Sequence, residues 1–172
     1  MPLVTQASVS PDGKYVTAIL NSKDGPSVVL SEFGSPDLKT LAILKEGRDR
    51  VDGITWIGSK RLLIAASYAM EYSKKRWRQT RYFAVNIDGS NLLEIAATEY
   101  RQATSWERQR AKNIRLVDTM PEDNEHILVQ VYDYRDKADA VFKVNIHSNE
   151  FSKVFINKYN VHTWVVDNKG EV

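Results

Sequence analysis

The 172-residue chain contains no cysteine. That excludes a disulfide framework, a thiolate zinc site and a cysteine nucleophile, while leaving the compartment open. An excess of one charge is also missing. Lys and Arg number 24 against 22 Asp and Glu, a net charge of +2, so no strong general attraction to nucleic acid or membrane follows. The longest apolar run, Leu62 to Met70, is too short to cross a bilayer, which takes about 20 residues of helix. The N-terminus lacks the charged, apolar and small-residue regions of a secretory signal. Because Met1 can be an internal start, periplasmic and cytoplasmic locations are both compatible. Ordinary apolar content, 42 %, and 27 % charged residues exclude wholesale disorder.

What the chain has instead is a repeated phrase: an apolar strand, a polar turn and a second apolar strand. Its copies run from Ala7 to Ile19, Ile54 to Ala66, Ile114 to Val129, and from Thr163 to the last residue, Val172. A recurrence of roughly 40–50 residues marks a repeat architecture. Each copy continues into two further strands: Ser27–Phe33 and Leu38–Leu44 in the first, Arg81–Ile87 and Leu92–Ala96 in the second, Ala140–Ile146 and Phe151–Phe155 in the third. Turn-forming residues join them, Gly34-Ser35-Pro36-Asp37, Asp88-Gly89-Ser90-Asn91 and His147-Ser148-Asn149-Glu150. Alternation such as Tyr82, Ala84, Asn86 against Phe83, Val85, Ile87 has the period of a strand. Four antiparallel strands per repeat make a β-propeller blade. The expectation is an all-β partial β-propeller forming a single domain over 1–172. About three four-stranded blades (7–44, 51–96 and 113–155) precede the first hairpin of a fourth, at 161–172. A short helical or irregular insertion is expected near 101–112, where Thr104 and Glu107 have capping-box spacing. The incomplete fourth copy makes the chain look like a piece of something larger. Unpaired blade edges would then favour self-association.

The order of these motifs resembles the N-terminal propeller of the prolyl oligopeptidase family, in its acylaminoacyl-peptidase and dipeptidyl-peptidase-like bacterial branch. The resemblance is carried by Ser10-Pro11-Asp12-Gly13-Lys14-Tyr15, by Val51 to Ile57 with Arg61-Leu62-Leu63-Ile64, and by Val85-Asn86-Ile87-Asp88-Gly89-Ser90. Pro121 to Val129 and Trp164 to Val172 complete it. It implies a parent serine peptidase whose C-terminal α/β-hydrolase domain cleaves short peptides, here missing, while the propeller restricts substrate access. The partners so implied are that hydrolase domain and the parent's peptide substrate. A non-enzymatic TolB-like propeller that binds protein partners is the alternative. A small basic β domain binding nucleic acid is the third reading, and the balanced charge argues against it.

No Gly-x-Ser-x-Gly occurs in the chain, so no nucleophile elbow is present. His126, His147 and His162 fall at a strand start, in a turn and before the last inner strand, and read as surface or loop histidines. No two share metal-binding helical spacing. Glu122-Asp123-Asn124-Glu125 and the Asp133, Asp136, Asp139 group lack a full calcium-loop pattern and read as solvated turns. No catalytic, cofactor or metal residue is therefore assigned. The sharpest charge feature is Lys74-Lys75-Arg76-Trp77-Arg78-Gln79-Thr80-Arg81-Tyr82, which Arg101, Arg108, Arg110, Lys112 and Arg115 could extend. Basic residues interleaved with aromatics can clamp phosphates and stack on bases, but the run reads first as a solvated hairpin tip. Within the peptidase resemblance, Arg76, Trp77, Arg78 and Arg81 are the candidates for interdomain or substrate-channel contacts. Trp56 and Trp164, at equivalent places in two repeats, are expected to pack between blades.

Overall fold

A computed structural model describes residues 3–44, 49–96, 104–159, 161 and 163–167. Twelve strands form three four-stranded antiparallel sheets. The first is β1 (Leu3–Val9), β2 (Tyr15–Ser22), β3 (Gly25–Glu32) and β4 (Lys39–Ile43). The second is β5 (Arg50–Ile57), β6 (Arg61–Tyr72), β7 (Lys75–Asn86) and β8 (Leu93–Ile95). The third is β9 (Arg115–Asp118), β10 (His126–Asp133), β11 (Ala138–Asn145) and β12 (Phe151–Ile156). In each sheet the strands lie side by side in chain order. This is the expected all-β, propeller-like fold. The chain divides into two compact units at Leu93/Glu94.

The turns form where their residues dictate. Ser10, itself buried, accepts Gly13 N–H at its carbonyl and donates its own N–H to the Tyr15 carbonyl. Its hydroxyl donates to Asp12 Oδ1 at 2.7 Å and accepts from Tyr15 N. The hydroxyl holds the Asp12 carboxyl below its ordinary range, with Lys14 N–H and the Lys14 charge adding to the effect. Gly13 takes φ +73°, a conformation glycine adopts freely. The second sheet repeats the logic at Asp88-Gly89-Ser90, where Asp88 Oδ1 accepts from Ser90 N and Oγ. Arg61 secures that turn from below. Only 2 % exposed, it donates to Asn86 Oδ1 and to the Asn91 carbonyl. Burial lowers its affinity for the proton.

In the first unit, Ile19, Val28, Leu30 and Leu41 of the first sheet meet Ile54, Leu62, Ile64 and Val85 of the second. Each fully buried aliphatic side chain contributes about 1.5–3 kcal/mol. Trp56 packs against this cluster, as its repeat position predicts. Polar contacts also cross the interface: Lys39 Nζ donates to the Asp88 carbonyl at 2.7 Å, and the Gln6 carboxamide takes both backbone groups of Ile54, donating Nε2–H to its carbonyl at 3.0 Å and accepting its N–H at 3.1 Å. In the second unit, Trp164 and Val166 pack with Val117 of β9 on a cluster of Met120, Leu128 and Val141.

Ser105–Ala111 forms the expected short helix, α1, with the Thr104–Glu107 capping box complete. Its Trp106 meets Tyr132 of β10 edge-on at 5.7 Å, and the Arg110 guanidinium lies 4.1 Å from the Tyr132 ring centroid. Residues 101–103 of the expected insertion lie outside the described residues. The expected fourth hairpin falls partly outside the described residues. Residues 163–167 form no strand, and 168–172 lie outside the described residues. Trp164 is instead held by packing and by its indole N–H, which donates to Gln130 Oε1 at 2.7 Å.

Two substitutions test this account by chemical unfolding. Leu62→Ala removes a side chain with no exposure from the shared core and should cost about 2–5 kcal/mol. Gly13→Ala meets no steric neighbour, so its loss should be only the positive-φ penalty of about 1–2 kcal/mol.

Candidate functional site

The basic run begins at the solvated tip of a hairpin and continues down one of its strands. From Lys75 onward it is strand β7, and only Ser73 and Lys74 make the turn, at φ 48° and 65°. β6 and β7 stay paired from Arg61↔Asn86 to Tyr72↔Lys75, whereas β5 accompanies β6 only as far as Arg50↔Ser67. Beyond Ser67, therefore, the hairpin runs on past the end of β5. Its sequence basis is the apolar run Leu62–Met70, which has Ala69-Met70 where the first repeat has its Lys23-Asp24 turn.

A hairpin extension of this kind is marginal without added contacts. Here the arginines supply them. Arg78 donates from Nε to Ser67 Oγ at 2.9 Å and from its second terminal nitrogen to the Ser67 carbonyl at 2.7 Å. Ser67 Oγ in turn donates to Asp52 Oδ1 at 3.0 Å. Arg76 bonds Glu71 at 3.0 Å, and Arg81 lies over Tyr68 at 4.8 Å. Alternation separates the four candidates: Arg76 and Arg78 share one face with Glu71, Ala69 and Ser67, while Trp77 and Arg81 share the other with Met70 and Tyr68. Trp77 keeps 40 % of its surface exposed. The structure thus brings the predicted residues onto one ribbon, yet spends the three arginines on intrachain partners.

A cleft of about 290 Å³ opens beside Ala69, Met70, Arg76, Trp77 and Arg78. The residue that sequence reading passed over is Gln79. It is 1 % exposed, and neither Oε1 nor Nε2 has a hydrogen-bond partner. Directly opposite Tyr68 and two residues from Trp77, it continues the Trp77, Arg81, Phe83 face. That alternation was the available signal.

The other polar groups are structural. Asp123 receives both Lys143 Nζ at 2.9 Å and His126 Nδ1 at 3.0 Å. Burial pushes the Asp123 carboxyl up, but bonds from Lys143, His126 and the Glu125 N–H outweigh it and hold the carboxyl well below its usual range. Lys153 bridges Asp133 and Asp136 at 2.5 Å each. Those bonds raise its pKa, Asp133 contributing most. Arg110 bonds Asp139 at 3.1 Å. Each acidic group considered for calcium is therefore paired with a cation, and no cluster among the described residues could hold a metal ion. His147 sits in the β11–β12 turn, its N–H bonded to Asn145 Oδ1. His162 and Arg101 lie outside the described residues, as does the Arg108 side chain. Among the described residues no helix is long and apolar enough to cross a membrane.

No family model matches the chain, and no curated protein matches it in sequence. Solved structures do match. The acylaminoacyl peptidase of Pyrococcus horikoshii is similar over 89 % of this chain and 25 % of its own, at 13 % identity and a TM-score of 0.56. TolB from Acinetobacter baumannii is similar over 88 % of this chain and 32 % of its own, at 9 % identity and 0.49. A puromycin-hydrolyzing peptidase of Mycobacterium tuberculosis is similar over 94 % and 30 %, at 8 % identity and 0.37. The chain therefore spans about a quarter to a third of the length of these proteins. At such identities the likeness to the Pyrococcus peptidase is one of fold.

Two outcomes follow from these contacts. Ser67→Ala removes the anchor between Arg78 and Asp52, so amide exchange over residues 69–78 should quicken while global stability falls by about 1 kcal/mol. Asp123→Asn should cost about 1.5–3 kcal/mol at neutral pH. Because the folded Asp123 carboxyl ionises below its unfolded value of 3.8, its contribution is complete above about pH 4 and fades as pH falls further. Unfolding midpoints of wild type and variant should accordingly converge in acid.

Proposed function

We propose that this chain is the non-catalytic propeller portion of a serine peptidase of the prolyl oligopeptidase type. It would restrict access to a C-terminal α/β-hydrolase domain that cleaves short peptides. The observation that carries this reading is the fold likeness to the Pyrococcus acylaminoacyl peptidase, which takes in 89 % of this chain but only 25 % of that protein. Two features agree with it. The 172 residues contain no Gly-x-Ser-x-Gly, so the nucleophile elbow that such chemistry needs would have to come from elsewhere. His126 is paired with Asp123, and Asp133 and Asp136 with Lys153. Arg76, Trp77, Arg78 and Arg81 mark the ribbon as the element placed to contact a hydrolase domain or the substrate path.

Activity-based labelling tests the reading. A fluorophosphonate should label no serine of this chain, while the full-length protein should be labelled once, at a Gly-x-Ser-x-Gly serine encoded beyond residue 172. Removing residues 1–172 from that protein should let it cleave polypeptides that the intact enzyme refuses. Labelling of this chain, or a parent gene encoding only further blades, would overturn the proposal. The second result would leave the TolB-like partner-binding reading.

A further inference from the structure

Burying an amide with no partner carries the full desolvation cost of the group, and buried polar groups in folded proteins are overwhelmingly paired. Gln79 breaks that rule at both ends of its carboxamide. Elsewhere this molecule shows what such a group is for. Gln6 accepts the N–H and binds the carbonyl of Ile54 at 3.1 and 3.0 Å. Asn149 does the same to Ala96 at 3.1 and 2.7 Å. Asn157 does it to Val161, at 2.8 Å for both bonds. In all three, one carboxamide saturates the donor and the acceptor of a single residue in a neighbouring backbone segment.

We propose that Gln79 is the anchor of a peptide-binding site, taking the N–H and C=O of one residue of an extended segment from another chain. The surroundings fit that ligand. Gln79 lies beyond Ser67, where β5 no longer accompanies the hairpin. A cleft of about 290 Å³ is lined by Ala69, Met70, Arg76, Trp77 and Arg78, the last of them next to Gln79 in the chain, just below the roughly 300–1,000 Å³ of ligand-sized clefts. It is suited to one apolar side chain of the bound residue. Trp77, two residues from Gln79 along the same face of β7, is its exposed member. A nucleobase offers a similar donor–acceptor pair. The arginines that would hold its phosphates are turned instead to Glu71 and Ser67, which favours peptide. The site needs no hydrolase domain, so it goes beyond the function proposed above and can fail independently of it.

The test uses this chain with an immobilised library of capped octapeptides that alternate apolar and polar residues. Members with a central apolar residue should be retained, and the Gln79 side-chain NH₂ resonances should shift when the strongest of them is added in solution. N-methylation of one central amide, which deletes the N–H that Oε1 accepts, should weaken binding about tenfold or more. Gln79→Met should weaken it similarly while leaving the unfolding midpoint equal or higher, since it removes an unpaired amide at matched size. The proposal is overturned if no octapeptide binds, or if Gln79→Met binds as well as wild type. It is equally overturned if the methionine variant unfolds earlier, as it would had the amide been paired in the fold, or if adenine-rich oligonucleotides bind through Gln79 and peptides do not.

Discussion

A four-stranded antiparallel sheet of this kind cannot bury a face by itself, and every other feature of the chain follows from that constraint. Ile19, Val28, Leu30 and Leu41 are apolar on one side of the first sheet because Ile54, Leu62, Ile64 and Val85 cover them. Apolar packing alone is non-directional. It would leave the sliding of one sheet over another poorly determined. The carboxamide clamps supply direction at little cost, since each satisfies two backbone groups. Gln6 fixes the approach of β5 to β1 at one peptide unit, Ile54.

The same economy explains the charged groups. With net charge near zero, acids and bases are consumed in pairs: Asp123 with Lys143 and His126, Lys153 with two aspartates, Arg110 with Asp139. Even the basic run is largely self-contained. Arg78 is spent on Ser67 and Arg76 on Glu71. What the ribbon presents outward is Lys74, Lys75, Arg76, Trp77 and Arg78, while Met70 is half-buried and Gln79 buried.

Much of the fold was legible because turn chemistry is local. Ser10-Pro11-Asp12-Gly13 and Asp88-Gly89-Ser90 announce hairpins through residues that make the turn's own hydrogen bonds. Thr104 and Glu107 announce a helix start in the same way. The site was less legible for an equally physical reason. The turn at Ser73-Lys74 places both residues at positive φ without the Asn-Gly or Gly that usually signals such a turn, so the strands looked shorter than they are. Arg61 reads as a solvated residue at a strand start, yet its guanidinium is buried beneath the Asn86–Asn91 turn. Alternation places Gln79 on the Trp77 and Phe83 face, but its burial is not written in that local pattern. Beyond residue 167, the expected fourth hairpin falls outside the described residues.

The central claim is that the β6–β7 ribbon serves recognition and not folding. The direct measurement is cooperative unfolding of a variant in which residues 68–79 are replaced by a two-residue Asn-Gly turn joining Ser67 to Thr80. The register is preserved, and the shared core of Leu62, Ile64 and Val85 is untouched. The account predicts a single transition with stability lowered by only about 1 kcal/mol, the worth of the lost Arg78–Ser67 bonds. A variant that fails to fold, or that loses most of its stability, would contradict it.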